Sequence, residues 1–425
     1  MTRTVTDTPS GLRGAGWALA VLGAATLVVV ALTTPWRALP ADAPPVAPDP
    51  ARDFTAAQIA RSESFDAVVS APGYLSLGLT LIVAGALVGT PLGARLLGGL
   101  RGPWWLRVLL GVLLLSAAVE VLRWPLGMWS ETYLREFGLS TQGWPAWSAD
   151  RVKNIAVRTG LLAIMVLAVV ALARRCRRWW APAAIGAFAL TVLASFAYPV
   201  VIEPIFNDFT PMPAGRLRDD LLAMAARDGV PVEDVLVADA SRRTTALNAY
   251  VSGFGATRRI VVYDTLLRAP GDQVELVVAH ELGHAKAGDV LYGTLVGGLA
   301  AACGACLLYL LTSAGPVRRR AGVASPADPR AVGLVMGVLT LATVLSGPAQ
   351  NLVSRHIEAR ADAHALDLTG EPVVFAAMQK RLAITNISDL SPSAIEYLIY
   401  VSHPTTPQRI AMARSWARLN GMREP

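Results

Sequence analysis

The chain has 425 residues, of which 53% are hydrophobic and 16% charged, with a mean hydropathy of +0.45. A soluble domain ordinarily carries about 25% charge, so this composition excludes a disordered chain, a fibrous one and a typical cytosolic enzyme. The net charge of +7 rests on basic residues beside apolar runs, the pattern of membrane flanks rather than of a nucleic-acid surface.

Seven segments are apolar over about the 20 residues that a bilayer-crossing helix needs. In chain order they are Gly14–Thr34, Tyr74–Ala94, Trp104–Pro125, Ile155–Ala173, Trp179–Ile202, Val290–Val317 and Ala331–Ser354. The first is long for a signal peptide, and no clear small-residue cleavage site follows it. Trp104, Trp105, Trp124, Trp179 and Trp180 stand at span ends, where interfacial aromatics belong, although packing between helices would place them as well. Residues 35–50 hold six prolines and no periodicity, which predicts an extended loop. Cys176, Cys303 and Cys306 are too few for a disulfide framework. Glu120, Arg123 and Arg158 lie within spans or at their ends, where charges are costly. A water-filled interior explains them, and so do ion pairs between helices.

Residues 203–289 and 355–425 have ordinary charge density. They flank the last two spans, so one soluble domain can be built from both pieces. Gly215–Asp228 reads as an amphipathic helix, and Asp234–Ala238 and Arg259–Tyr263 read as strands rich in Val and Ile. The N-terminal tail, with Arg3 and Arg13, and the loops after spans two, four and six hold 13 arginines, against six basic residues in the opposite short loops. The positive-inside rule then puts the N-terminus in the cytoplasm and the soluble domain outside. Only Lys153, Lys286 and Lys380 among the 38 basic residues are lysine, the codon bias of a GC-rich bacterial genome.

The chemistry is concentrated in His280-Glu-Leu-Gly-His284. On a helix, His280 and His284 project from one face and can reach one metal ion. Glu281, the next residue along, can take a proton from a metal-bound water. Val, Leu and Ala between Gln273 and Ala287 favour a buried helix there. A catalytic zinc needs a third protein ligand, for which Glu358 is the best candidate. Asp362 lies one helical turn further on the same face and can orient a ligand histidine. His356 is the rival ligand, but it points about 200° away from Glu358 on a helix, so both cannot face the metal. Glu358 could instead pair with Arg355 or Arg360. His403, in Ser-His-Pro before a helix, can donate a hydrogen bond to a tetrahedral oxyanion, or be a surface histidine.

These elements, in this order, resemble the type I CAAX prenyl protease family of integral-membrane zinc endopeptidases, over nearly the whole chain. The resemblance rests on Asn248-Ala-Tyr, Gly253 and Arg259-Ile-Val-Val-Tyr-Asp-Thr-Leu, on the motif at 280–284, on Glu358-Ala-Arg-Ala-Asp362, and on Asn386 and Ser402-His-Pro. Gln408 departs from it, since the family often has Glu before the arginine that is Arg409 here. The resemblance implies a mainly α, polytopic protein: a seven-helix transmembrane barrel around a chamber, with a gluzincin-type α+β zinc metalloprotease domain. Residues 1–202 would form an N-terminal membrane domain of five helices and 290–354 the last two spans, with the protease domain split between 203–289 and 355–425. It implies one zinc ion on His280, His284 and Glu358, with Asp362 behind them. Glu281 would be the general base, and His403 and Arg409 would support the transition state. Asn248 would hydrogen-bond a substrate lying along a strand edge, unless it only satisfies its own turn. Substrates would be peptides or proteins, membrane-associated or lipidated ones included, with the lipid bilayer as the other partner and no nucleic acid. The resemblance puts the site on the cytoplasmic side, opposite to the arginine count. A non-catalytic zinc-containing sensor or scaffold that binds peptides is the alternative, and a transporter a third.

Overall fold

A computed structural model describes residues 9–425 except 254, 256 and 257; Arg3 of the N-terminal charge count lies outside the described residues. Seven helices in it are long and apolar enough to cross a membrane. The second, third, fourth and seventh run well beyond the apolar segments alone. The second span is part of the 34-residue helix Ala56–Gly89, and the seventh of the 38-residue helix Val332–Thr369. At 1.5 Å per residue such helices reach about 50 Å or more, against a hydrocarbon core of about 30 Å. The excess turns are polar because they stand in water. The second helix starts early because Thr55 and Gln58 form a reciprocal capping box there. The fifth span, Trp180–Ala197, passes into a π turn at Tyr198–Ile202, where Pro199 supplies no N–H to the α-helical ladder.

Spans pack through small residues, as expected where lipid gives apolar side chains no reason to prefer one another. Gly333 and Gly337, four apart on the seventh helix, let it approach the second so closely that a Cβ at Gly337 would lie 2.9 Å from the Ala84 carbonyl oxygen. Buried Glu120 pairs with Arg158 and, at 3.6 Å, with Arg151.

The soluble elements gather at one end of the spans. β1 (Phe209–Pro211), β2 (Asp234–Ala238), β3 (Ala249–Ser252) and β4 (Arg259–Tyr263) form one sheet in the order β1-β2-β4-β3. β2 and β4 run parallel, and β1 and β3 flank them antiparallel. β2 and β4 begin and end where their Val/Ile runs predict. β1 and β3, of three and four residues, are too short to carry a periodicity. The amphipathic helix is Arg216–Arg227, and the helix carrying the histidine motif is Gly271–Ala287. One buried cluster joins Leu221, Val235, Ile260 and Leu276 to Leu366, Phe375 and Trp416, so chain from before and after the last two spans shares a core.

The proline-rich segment makes no helix or strand between Thr34 and Asp49. It is a strap across this soluble end. Trp36 stacks edge-on against His356, Ser415 Oγ donates to the Pro44 carbonyl (2.6 Å), and buried Asp53 anchors Arg414 and Lys380.

Candidate metal centre

The motif helix is buried along most of its length, with Val274, Val278, Ala279 and Leu282 fully enclosed. It ends at Gly288, whose φ of 72° lies in the left-handed region that favours glycine. That turn starts the sixth-span helix with Asp289 directly beneath His284. Gly283 permits the crossing with the seventh helix, since a Cβ there would lie 3.1 Å from the His364 side chain. The seventh helix projects far enough from the membrane to bring Glu358 and Asp362 to the motif. Long helix and short motif therefore meet outside the apolar region.

Three donors converge. His280 Nε2 is 3.1 Å from His284 Nε2 and 3.2 Å from Glu358 Oε2, and His284 Nε2 is 3.6 Å from Glu358 Oε1. Each histidine's other nitrogen is bound to a carboxylate: His280 Nδ1 to Asp362 (2.8 Å) and His284 Nδ1 to Asp289 (2.8 Å). Those contacts place the neutral-ring proton on Nδ1 and leave both Nε2 atoms as bare lone pairs. Two lone pairs and a carboxylate facing one another repel unless a cation lies between them. A tetrahedral zinc with bonds of about 2.0–2.2 Å sets its ligands about 3.3–3.6 Å apart, so the donor set fits a metal ion in both chemistry and spacing.

The alternative partners of Glu358 are occupied elsewhere. Arg355 donates to the carbonyls of Tyr397 (2.8 Å) and Val401 (2.7 Å), holding the loop that carries His403. Arg360 pairs with Asp289. His356 faces the strap, as its 200° offset from Glu358 requires. His364 bonds Asp228 (2.9 Å), which also takes Lys286 (2.6 Å). His403 Nε2 stands 3.3 Å from Glu358 Oε2, with Ser402 Oγ 3.0 Å from its Nδ1 and more than half of its side chain exposed.

Arg409 is placed differently from a residue reaching a substrate. It is half of a fork on Asp362, with Nε donating to Oδ2 (2.7 Å), and its Nη2 lies 3.4 Å from His280 Nδ1. Gln408 closes the capping box of the helix Thr406–Leu419, and its Oε1 accepts from the Tyr397 hydroxyl (3.0 Å). The helix N-terminus that presents Arg409 is thus fixed without a glutamate.

Sequence reasoning missed the second half of a near-symmetric arrangement. Asp362 and Arg409 back His280; Asp289 and Arg360 back His284. The available signal was an aspartate directly after the helix-ending glycine, five residues past His284. The reach of Asn386 was also missed: its Oδ1 accepts from Leu247 N (2.9 Å) and its Nδ2 donates to the Leu247 carbonyl (3.3 Å). It holds the chain just before β3 as a neighbouring strand would.

β3 lies against the motif helix and pairs with β4 on one side only, so it is a sheet edge. Exposed Asn248 opens it: its carbonyl accepts from Tyr263 N (3.0 Å), and its Oδ1 takes the Ala249 N–H (3.0 Å). Glu281 has no hydrogen bond or ion pair among the described residues. Burial pushes its carboxyl up from the usual range, and the two histidines pull it back only in part. Burial alone would lower His284. Hydrogen bonds with Asp289 and Glu358 outweigh it and carry its pKa up to about 10. His280 rises likewise, burial being outweighed by Asp362 and Glu358.

Residues 211–417 match the profile of peptidase family M48, and residues 75–208 match that of the CAAX prenyl protease N-terminal region, five membrane helices. The chain is 29% identical over 307 residues to an uncharacterized metalloprotease, YhfN, of Bacillus subtilis, covering 71% of this chain and 72% of that one. It is 27% identical over 318 residues to CAAX prenyl protease 1 of Saccharomyces cerevisiae, 70% of each. A CAAX prenyl protease 1 homolog of Oryza sativa is 34% identical over 233 residues, so the chain spans about half the length of that relative, 53% of each being covered. The crystal structure of S. mikatae Ste24p superposes with a TM-score of 0.74 over 96% of this chain and 99% of that one, at 22% identity, and so shares its fold.

Two outcomes are expected of the metal centre. Raised histidine pKa values mean that a metal ion displaces protons, so its apparent affinity climbs with pH across the neutral range. Titration calorimetry in buffers of different ionisation enthalpy should show net proton release; binding independent of buffer would contradict the arrangement. Asp362→Asn should weaken the metal by about 10–100-fold in competition with a chelator.

Proposed function

We propose that the chain is a multi-pass membrane metalloendopeptidase of peptidase family M48, whose profile residues 211–417 match, and that it hydrolyses peptide bonds with one zinc ion held by His280, His284 and Glu358. The observation that carries the reading is the convergence of three electron-pair donors beside an unpaired, buried-edge carboxylate, Glu281. Zinc in this position supplies Lewis acidity to a bound water and to the scissile carbonyl.

The chain's own residues do the rest. Glu281 takes the proton of the attacking water and delivers it to the leaving amine. Burial raises its pKa, which makes it a stronger base for the first half of that transfer. His403 donates from Nε2 to the oxyanion. Asp362, Asp289, Arg409 and Arg360 act as positioning residues that keep both rings turned with Nε2 forward. The substrate adds to β3 as an extended strand, with the Asn248 side chain at its start. Asn386 keeps that edge in place. An edge reads backbone rather than sequence, so both lipidated tails and unfolded membrane-protein segments fit it as substrates.

The arginine-rich loops lie together at the end of the spans opposite the metal centre, as Arg178 to Ser10 (3.2 Å) and Arg174 to the Ala327 carbonyl (3.1 Å) illustrate. This charge asymmetry favours a metal centre on the non-cytoplasmic face.

On a detergent-purified sample, Glu281→Gln should keep its zinc and cut an unfolded reporter peptide about 10²–10⁴-fold more slowly. His403→Ala should lose about 10²–10³ in kcat with KM little changed. Normal activity in the first variant refutes the base assignment. For orientation, a membrane-impermeant thiol reagent should label Arg319→Cys only after permeabilisation; labelling in intact cells reverses the assignment.

A further inference from the structure

Backbone pairing along β3 is blind to sequence, so a preference among substrates must come from the side chains beside that edge. Side chains alternate along a strand. Ala249 and Val251 enter the core with Leu276 of the motif helix, which leaves Tyr250 and Ser252 on the opposite face. Their neighbour there is Glu203, the first residue of the short helix Glu203–Phe206 that follows the π turn of the fifth span. Ser252 Oγ donates to Glu203, 3.4 Å from Oε1 and 3.3 Å from Oε2, and the Tyr250 hydroxyl interacts with the same carboxylate.

Among the described residues, only hydroxyls bond this charge. Glu203 is partly buried and makes no ion pair there. Arg259, which lies opposite Ser252 in the β3–β4 register, acts on it from beyond ion-pair distance. A carboxylate held away from water without a paired cation is costly, and an arriving cation recovers that cost. Its two oxygens offer about four lone-pair positions, so Glu203 can accept a further donor without giving up either hydroxyl.

The place of Glu203 along the edge fixes which substrate residue it meets. β3 ends at Ser252, because Gly253, with a φ of 93°, turns the chain in the left-handed region. Ser252 lies four residues past Asn248, about 13 Å along the strand. A strand added to β3 sets the residue opposite Ser252 on the same face, with Cβ atoms about 4.5–5.5 Å apart. A long cationic side chain there reaches the carboxylate, whereas the residues before and after it project to the other face.

We infer that Glu203 is a specificity-determining residue that accepts a lysine or arginine side chain from the substrate position opposite Ser252, so that the enzyme prefers a basic residue at one fixed distance from the cut. The inference rests on the peptidase reading and on strand addition to β3, and it deepens both by naming the substrate class.

The test scans lysine, and its uncharged counterpart norleucine, through each position of the reporter peptide. The wild type should show one position at which lysine raises kcat/KM about tenfold or more over norleucine. Glu203→Gln should bring that ratio near one, and Glu203→Asp should keep part of it. Arg259→Gln, which removes the competing cation, should raise the ratio, and a fall counts against the pairing. Cutting by the wild type with no lysine preference at any position, or a preference unchanged in Glu203→Gln, overturns the proposal and leaves the peptidase reading intact. If no peptide is cut, the peptidase reading fails separately. Fluorescence anisotropy with the same labelled peptides on Glu281→Gln then decides Glu203. Tighter binding of one lysine peptide than of its norleucine counterpart, lost when Glu203→Gln is added, supports the proposal, and equal binding of every pair overturns it.

Discussion

Three bare electron pairs held within 3.1–3.6 Å of one another are the constraint on which the soluble end of this protein is organised. Left alone they repel, and at neutral pH protons or a metal cation must stand between them. Everything behind them resists their separation. Asp362 and Asp289 fix the ring tautomers, and Arg409 and Arg360 neutralise those aspartates in turn. The core around Leu276, Leu366 and Trp416 holds the two helices that carry the donors. Breaking any one of these buried pairs leaves an uncompensated charge beside the three donors, which explains why polar groups are so dense in so small a region.

The same logic recurs in the membrane with opposite sign. Around the metal centre, carboxylates outnumber the cations that face inward, and the deficit is one of positive charge. In a cavity of about 490 Å³ between the second, third and fourth spans, three guanidiniums stand against two carboxylates, and the deficit is one of negative charge.

Much of this was legible in the sequence because the signals were local. The His280 and His284 spacing needs only a helix, and Glu358 and Asp362 share a face by the same rule. β2 and β4 announce themselves by Val/Ile runs. What was not legible depends on contacts between distant segments. Asp289 becomes a partner of His284 only because Gly288 turns the chain left-handed, and Asn386 acts as a strand only once the helix Pro372–Asn386 docks beside Leu247. The resemblance cast Arg409 as support for the substrate or its transition state, and only the tertiary structure shows its pairing with Asp362. The charges at Glu120, Arg123 and Arg158 allowed a water-filled interior or ion pairs; the structure pairs Glu120 with Arg158 on the wall of the cavity between the spans.

The chain order of the metal centre has a consequence for biogenesis. His280 is made 129 residues before Arg409, the residue that braces the aspartate behind it. The strap residue Asp53 waits 361 residues for Arg414. The contacts that Asp362, Asp53 and Pro44 make with the helix Thr406–Leu419 cannot form until that helix has left the ribosome. The brace behind His280 and the anchor of the strap therefore both wait on the same late helix, so the soluble end is tightened last.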